Sequence, residues 1–319
     1  MGRILVLIGA AALCVVLTAT SHLPQVSPQS LWAEGLPDFW ASKTSSFGSN
    51  QDSNIGFMCP MDRDVSSKAP GFCPRCGMKL VSGIPEAKEY TVSVSAQPRA
   101  IRPGQNVLLN FGIEDPKIHQ PVRDFEIVHE RFYHLFIVSQ DLSFFLHTHP
   151  EQQPDASFRL GLQLPKPGMY RILSDFYPKG GTPQLVVNTV IVPGRAGAAG
   201  PAKLAAELEP QRSENEELEL VTDPPQPIAG SKTLMFFRVK PNDGIEPYLG
   251  AMAHLLAASS DLVDMIHSHP IQASDHGSDY KQLQFNLTFP SSGVYRVWIQ
   301  SQRKGVVNTV AFNIPVRRK

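Results

Sequence analysis

Histidines recur in this sequence at a spacing that suits a metal site. Six of the ten histidines form two copies of the pattern His-x12-His-x-His-Pro: His134, His147 and His149 in the first copy, and His254, His267 and His269 in the second. In a strand, His-x-His places both rings on one face, because side chains alternate with a period of two. A third ring from the neighbouring strand of a hairpin would complete a three-nitrogen site, which suits Cu(II) or Zn(II).

The residues around these histidines favour a hairpin and offer further ligands. Ser-x-Asp-Leu, at 139–142 and again at 259–262, is typical of a turn between two strands. Additional ligands or hydrogen-bond acceptors are predicted by position: His129 and Asp141 in the first copy, His276 and Asp264 in the second. The alternative is structural, with each ring bonded to a backbone carbonyl and His-Pro ending a strand. The recurrence of three imidazoles at one spacing favours ligation.

Three cysteines form a second candidate site. Cys59, Cys73 and Cys76 lie within 18 residues of one another, and an odd number so close together makes a poor disulfide framework. Cys73-Pro-Arg-Cys76-Gly is typical of a zinc knuckle, in which two thiolates share one tight turn. The neighbouring methionines Met58, Met61 and Met78 add soft ligands and favour Cu(I) or Ag(I) over Zn(II). A purely structural zinc site that holds these few residues together is the alternative.

This cysteine segment resembles the small heavy-metal-binding domain attached to copper- and silver-efflux proteins. The resemblance rests on Cys59-Pro-Met61 and on Pro-Gly-Phe-Cys73-Pro-Arg-Cys76-Gly-Met78-Lys-Leu-Val, under a tenth of the chain. It implies a metal ion held by the three cysteines, with copper or silver favoured and zinc as the alternative. Asp62 stands where that family has a histidine, so the resemblance leaves open whether Asp62, Met61 or Met78 supplies the remaining ligand.

The elements that must position the histidines are strands, and the second half of the chain repeats the first. Gly-Met-Tyr-Arg at 168–171 is echoed at 293–296, and Val-Asn-Thr-Val at 187–190 recurs at 307–310. Short β-branched and aromatic runs separated by turns predict strands. In the first repeat these are Tyr90–Ala96, Asn106–Ile113, Phe132–Ser139, Phe158–Leu164, Gly168–Phe176 and Leu185–Val192.

About seven short strands in roughly a hundred residues predict an immunoglobulin-like antiparallel sandwich. Tyr170 and Tyr295 fit the tyrosine that closes a corner of such a fold. Asp175 is interpreted as part of a strand end without a functional role. The repeats are similar to a poorly defined family of secreted bacterial domains, a likeness that implies no activity.

The predicted fold class is therefore mainly β, with two tandem immunoglobulin-like antiparallel β-sandwiches. A small Cys-rich knuckle and an N-terminal signal or anchor precede them. The predicted boundaries are 1–21 for the signal peptide or membrane anchor, 22–55 for a flexible linker, 56–83 for the knuckle, 88–194 for repeat 1, 195–217 for a linker with a short helix at 202–208, and 218–316 for repeat 2. The sequence leaves open whether the two sandwiches pack together.

The N-terminus predicts export. Residues 4–19 are uninterrupted apolar and follow a single Arg3, which is typical of a signal peptide or of a membrane tether. The 16-residue run is short for a bilayer span, which favours cleavage after Ser21. We therefore expect a periplasmic or secreted protein.

Composition excludes several function classes. Equal numbers of basic and acidic residues, 29 of each, argue against a nucleic-acid partner. A phosphate-binding loop, a dinucleotide fingerprint and a paired general base are all missing from the sequence, so we expect a protein without enzymatic activity. The favoured function is copper or silver handling, with delivery to an efflux or metalloprotein-assembly partner. Two alternatives stay open: a copper- or zinc-dependent enzyme, and a partner-binding module with structural histidines.

Overall fold

The chain folds as strands around two sandwich cores. The computed structural model describes residues 56–59, 65–74, 78–82, 88–194 and 202–319. The signal segment, the linker 22–55 and the predicted ligands Met61, Asp62 and Cys76 lie outside the described residues. The described part of the chain contains no helix with the length and apolar character that a membrane span requires.

The Cys-rich segment forms a small antiparallel sheet. Its strands are β1 (Phe57–Met58), β2 (Ser66–Ser67) and β3 (Val81–Ser82), in the order β2-β1-β3. Cys59, Cys73 and Leu80 are buried together as its core, with Phe57 and Val65 packed against them.

Repeat 1 is a sandwich of two antiparallel sheets. Its strands are β4 (Thr91–Gln97), β5 (Asn106–Asp115), β6 (Gln120–Pro121), β7 (Tyr133–Ser139), β8 (Phe145–Thr148), β9 (Glu151–Gln152), β10 (Phe158–Gln163), β11 (Gly168–Phe176) and β12 (Gln184–Val192). One sheet has the order β4-β5-β10-β9, with β6 beside β5, and the other has the order β12-β11-β7-β8.

Repeat 2 has the same plan. Its strands are β13 (Gln211–Arg212), β14 (Glu217–Asp223), β15 (Lys232–Lys240), β16 (Ile245–Glu246), β17 (His254–Ser259), β18 (Met265–Ser268), β19 (Gln272–His276), β20 (Tyr280–Thr288), β21 (Gly293–Arg303) and β22 (Val306–Val316). One sheet is β13-β14-β15-β20-β19; in the other, β21 lies between β22 and β17, and β18 follows β17. The predicted mainly-β fold is confirmed, and the six strands predicted for repeat 1 are present within two residues of their predicted ends.

Two features of each sandwich follow from its sequence pattern. Alternate side chains of the central strands, such as Leu109 and Phe111 of β5, fill the space between the sheets. The corner tyrosines lie as predicted, because the Tyr170 hydroxyl donates to the Lys166 carbonyl (2.9 Å) and the Tyr295 hydroxyl lies 3.1 Å from the equivalent Ser291 carbonyl.

The two repeats pack against each other through their equivalent sheets. All seven residues of β7 and all six of β17 are buried, so both faces of these strands are covered. Leu135 and Ile137 face the sandwich core, whereas Phe136 and Val138 lie in a separate cluster with Leu256 and other residues of repeat 2. That shared cluster consists of Phe136, Val138, Leu142, Leu173, Leu256, Ala258, Leu262, Met265 and Trp298. It places the outer face of each histidine-bearing hairpin at the interface between the repeats.

The described residues of the segment between the repeats, from Ala202 onward, run along this interface without a helix. The predicted helix at 202–208 is wrong, since these residues are not helical. The Ala202 amide donates to the Ser260 carbonyl (2.8 Å). The Glu207 amide donates to the Asn313 carbonyl, and the Asn313 amide donates to the Glu207 carbonyl. Ala202 and Leu204 pack on the shared cluster, so tertiary contacts override the local helical propensity of the Ala-rich run.

We expect the shared cluster to contribute strongly to stability. Leu173 is fully buried in it, so Leu173→Ala should lower the free energy of unfolding by about 2–5 kcal/mol through the cavity that it leaves. Ile191 is 68 % exposed, and Ile191→Ala should change this free energy by about 0.5 kcal/mol or less. Urea unfolding of both variants measures the difference; equal effects would mean that the repeats do not pack in this way.

Candidate metal centre

The hairpin of β7 and β8 assembles the first three histidines. Phe136 pairs with His147 across the two strands, so that His149, two residues further on, lies opposite His134. The ring centroids of His134 and His149 are 4.8 Å apart, and those of His147 and His149 are 4.9 Å apart. We call these three residues the first triad. The turn at 139–142 has the predicted form, with Leu142 at a positive φ and Asp141 accepting a hydrogen bond from Ser139.

The hairpin of β17 and β18 assembles a second triad in the same way. Its members are His254, His267 and His269, and the ring of His269 lies 4.5 Å from each of the other two. In each triad one nitrogen per ring can be chosen such that all three lie within 4.8 Å of one another. The structure therefore brings the three predicted rings of each copy together.

The outward nitrogens of four rings are committed as donors. His134 Nε2 donates to the Val128 carbonyl and His254 Nε2 to the Tyr248 carbonyl, both at 2.9 Å. Because a carbonyl oxygen only accepts, the proton lies on Nε2, and Nδ1 of each ring keeps its lone pair. This arrangement, in which one ring nitrogen is held by an acceptor and the other is left unprotonated, is typical of histidines that ligate a metal.

The remaining two donors reach across to the other repeat. His147 Nδ1 donates to Gln300 Oε1 (2.8 Å), and the amide of Gln300 is oriented by its own hydrogen bond to Thr309. His267 Nδ1 donates to Asp175 Oδ2 (2.6 Å). The Nε2 atoms of both rings are consequently the nitrogens left for their triads.

The inward nitrogens of the first triad have the spacing of metal ligands. His134 Nδ1 is 3.3 Å from His147 Nε2 and 3.2 Å from His149 Nε2. Two unprotonated nitrogens cannot bond to each other, so the first of these distances is not a hydrogen bond. Tetrahedral ligands at about 2.0–2.1 Å from an ion lie about 3.3 Å from one another, which matches both distances.

The second triad is drawn closer on one side. His269 Nε2 lies 2.8 Å from His254 Nδ1, and since the latter carries a lone pair, His269 donates. Within the described residues, His267 Nε2 and His269 Nδ1 are buried and have no hydrogen-bond partner. Buried polar atoms normally have partners, so these orphaned nitrogens indicate that the site is built for something further.

Burial favours the neutral form of five of the six triad rings. Desolvation, reinforced by the neighbouring imidazoles, lowers the pKa of His134 to about 4 and that of His149 to about 3. The same causes hold the pKa values of His147, His254 and His269 well below the ordinary value. At neutral pH these five rings are therefore neutral, and each can present a lone pair to a metal ion, as ligation requires.

His129 joins the cluster from the opposite side of the interface. It lies at a positive φ in the turn that precedes β7, and its ring packs at a tilt against that of His269 of the other repeat, at a centroid distance of 3.8 Å. Its Nε2 is buried and without a partner among the described residues, and burial lowers its pKa to about 3. The structure thus brings this predicted additional residue to the second triad rather than to the first. We call the two triads and His129 the histidine centre.

Three other predicted candidates are not part of the centre. Asp141 is held in the hairpin turn by Ser139, Ser143 and Lys166. Asp264 accepts hydrogen bonds from the hydroxyls of Tyr295 and Ser291, and the exposed His276 stacks on Tyr280. These residues satisfy local hydrogen bonds or lie in solvent, so their predicted role as ligands or acceptors is wrong.

The sequence-based interpretation missed Asp175 and Gln300. Asp175 was assigned no role, yet it lies opposite His134 in the sheet and bonds His267 of the other repeat. Gln300 occupies the equivalent position opposite His254. Burial by itself would raise the pKa of Asp175, but the hydrogen bond from His267 and the electrostatic effects of His267, His134 and His129 together outweigh it, and the pKa is lowered. Asp175 and Gln300 each lie five residues after the corner tyrosine of their repeat, so the sequence could have shown that their positions are equivalent. It gives no signal for their hydrogen bonds to the other repeat.

The knuckle brings two of its predicted ligands together. Cys59 and Cys73 are buried in one cluster, and the Cys73 amide donates to the Met78 carbonyl (2.7 Å) in the hairpin that ends at Leu80. The pKa of Tyr177 in repeat 1 is raised to about 12, mainly by burial and then by the nearby Glu126. Cys59 of the knuckle lies close enough to add a smaller contribution in the same direction. The knuckle thus lies near the repeat that carries the first triad.

A cleft of about 880 Å³ lies between the knuckle and the two repeats. Met78 and Leu80 line it from the knuckle, His129 and Phe132 from repeat 1, and Gly250 from repeat 2. The cleft therefore borders one predicted ligand of the knuckle, Met78, and one member of the histidine centre, His129.

Comparison with known families accounts for most of the chain. Residues 85–194 and 212–318 each match the family described as Domain of unknown function (DUF8832), and together they make up more than half of the sequence. The chain belongs to the DUF8832 family. Residues 57–82 match the Heavy metal binding domain family, which confirms the coarser part of the predicted resemblance and supports metal binding by this DUF8832 protein.

Solved structures are similar only in fold. The Escherichia coli adhesin FdeC shares 13% identity over 75% of this chain and 70% of its own, with a TM-score of 0.24. The Yersinia pseudotuberculosis adhesin InvE shares 10% identity over 71% of this chain and 60% of its own, with a TM-score of 0.23. A fragment of ICAM-5 shares 12% identity over 77% of this chain and 59% of its own, with a TM-score of 0.22. Likenesses at this level carry no argument about function, and no curated protein matches this DUF8832 chain.

Removing a triad ring should weaken metal binding more than removing an exposed ring. We expect His149→Ala and His269→Ala to lose Cu(II) or Zn(II) affinity by more than the 10- to 100-fold that is typical of an outer-shell change, because each variant deletes a ligand. His119 and His276 are exposed, so His119→Ala and His276→Ala are matched controls that should bind normally. Competition titration measures these affinities; an equal effect in all four variants would contradict ligation by the triads.

Proposed function

We propose that this protein is an exported, non-enzymatic metal-binding protein that handles copper at two chemically different sites. The knuckle, with its thiolates and methionines, suits a reduced soft ion such as Cu(I) or Ag(I). The histidine centre suits Cu(II), with Zn(II) as the alternative. Delivery to an efflux or metalloprotein-assembly partner is part of the proposal, and the apolar N-terminal run supports a location outside the cytoplasm.

One observation carries the proposal: neutral ring nitrogens converge in each triad while the outward N–H groups are held by acceptors. If the histidines were structural, we would expect both nitrogens of each buried ring to be satisfied. Instead the described inward nitrogens face one another or have no partner. The match to the Heavy metal binding domain family supports the same function independently.

The burial of the centre favours holding an ion over turning over a substrate. His134, His147, His254 and His269 are buried, and His149 is the partly exposed ring of the first triad. An ion can reach the first triad from the His149 side. The cleft that borders Met78 of the knuckle and His129 of the histidine centre supports a role in which one protein receives and retains the same element.

The second candidate function is that of a metal-dependent enzyme, which the number of ligands in each triad favours. Each triad supplies three nitrogens, and catalytic zinc and copper sites commonly keep a fourth position open for water or substrate. Oxygen consumption by the copper-loaded protein with ascorbate as reductant separates the two functions. A rate no greater than that of free copper supports binding alone.

Metal should stabilise the folded protein. An ion that binds only the native state raises the free energy of unfolding by about 2.7 kcal/mol when its free concentration is 100 times the dissociation constant. We therefore expect chelation to lower the thermal midpoint and Cu(II) or Zn(II) to restore it. The double variant His134→Ala/His254→Ala should lose most of this shift. Identical midpoints for the loaded and chelated protein would overturn the proposed function.

The knuckle should bind independently of the histidines. Cobalt(II) bound by thiolates gives a strong near-ultraviolet charge-transfer band, which imidazole ligation does not. We expect Cys59→Ser and Cys73→Ser to remove this band and to leave the visible bands of the histidine centre, because the two sites use different ligands. His119→Ala is the matched control. A band that survives both cysteine substitutions would exclude the thiolates as ligands.

A further inference from the structure

The two triads are as close to each other as their own members are. Between triads, the ring centroids of His147 and His254 are 5.1 Å apart and those of His134 and His254 are 5.9 Å apart. Within the second triad the corresponding distance from His254 to His267 is 6.0 Å. The six rings therefore form one continuous cluster across the interface of the repeats.

Each triad is completed by the other repeat. The N–H of His147 is held by Gln300 of repeat 2, and the N–H of His267 is held by Asp175 of repeat 1. The ring of His129 of repeat 1 likewise packs against that of His269 of repeat 2. A single isolated repeat would retain three rings but would lose the hydrogen bond that orients one of them, His147 in repeat 1 or His267 in repeat 2.

The two completing residues occupy equivalent positions but differ in charge. Asp175 pairs with His134 in one sheet, as Gln300 pairs with His254 in the other. A carboxylate bonded to a ligating imidazole raises its basicity and adds a negative charge near the ion, whereas a neutral amide only orients the ring. The second triad is thus the more electron-rich of two otherwise similar sites.

We infer that the interface holds one dinuclear centre whose two sites are unequal. The ligand class is a pair of nitrogen-preferring divalent ions, Cu(II) in the first place. The second triad binds the first ion because of Asp175, and the first triad binds the second ion next to it. This inference rests on the proposed function and adds to it the stoichiometry, the order of filling and the residue that sets that order.

Titration of the full chain with Cu(II), followed by electron paramagnetic resonance, tests the pairing. Cys59→Ser, Cys73→Ser and Cys76→Ser are combined as the background, since thiols reduce Cu(II), and the wild-type chain is measured in parallel. The first equivalent should give a signal of isolated Cu(II) with nitrogen ligands. The second equivalent should broaden or diminish this signal, because two adjacent spins couple. Two equivalents that give twice the signal of an isolated ion would overturn the inference and leave the proposed function standing.

Near-isosteric substitutions test the order of filling. Asp175→Asn should weaken the first binding step by about 10- to 100-fold, and Gln300→Glu should strengthen the second step by a similar factor. Asp155 is exposed in a turn, so Asp155→Asn is the matched control and should change neither step. Unchanged steps in both site variants would overturn the assigned asymmetry. A chain that binds no Cu(II) at all would instead overturn the proposed function, and this inference with it.

Discussion

The packing of the β7 sheet of one repeat against the β17 sheet of the other is the constraint on which the rest of the structure depends. A strand in an isolated sandwich has one buried face and one solvated face. Here both faces of β7 and β17 are buried, and the second face is covered by the partner repeat. The apolar part of this face forms the shared cluster, and the histidines continue it toward the edge. The imidazoles on this face are consequently desolvated, which lowers the pKa values of His134, His147, His254 and His269.

Desolvation explains why the outward hydrogen bonds matter so much. A buried imidazole without partners carries a substantial free-energy cost, and seven such rings in one place would oppose folding. Backbone carbonyls, Asp175 and Gln300 remove part of that cost and in doing so decide which nitrogen carries the proton. The part that remains, on the inward nitrogens, is what a bound cation would relieve.

Duplication gave the protein two similar hairpins, and divergence made them different. Phe136 in repeat 1 corresponds to Leu256 in repeat 2. The ring of Phe136 stacks on His147 at a centroid distance of 4.2 Å. The turn before β7 carries His129, where the equivalent turn of repeat 2 carries Leu249. Together with the Asp175 and Gln300 pair, these differences break the symmetry of the centre without altering the hairpins that build it.

The sequence by itself determined the strands, the repeat and the two triads. Period-two alternation and turn residues are local signals, and a hairpin brings His134 to His149 by pairing that is also local. The Cys-Pro-Met and Cys-Pro-Arg-Cys-Gly patterns likewise predicted the knuckle from the sequence alone. Only the tertiary structure decided that the two triads meet, that His129 crosses to the second triad and that Asp175 serves a histidine 92 residues away. The physical reason is that the interface is formed by apolar residues such as Leu173 and Trp298. Such residues look the same in the sequence whether they pack against a partner repeat or in the core of their own.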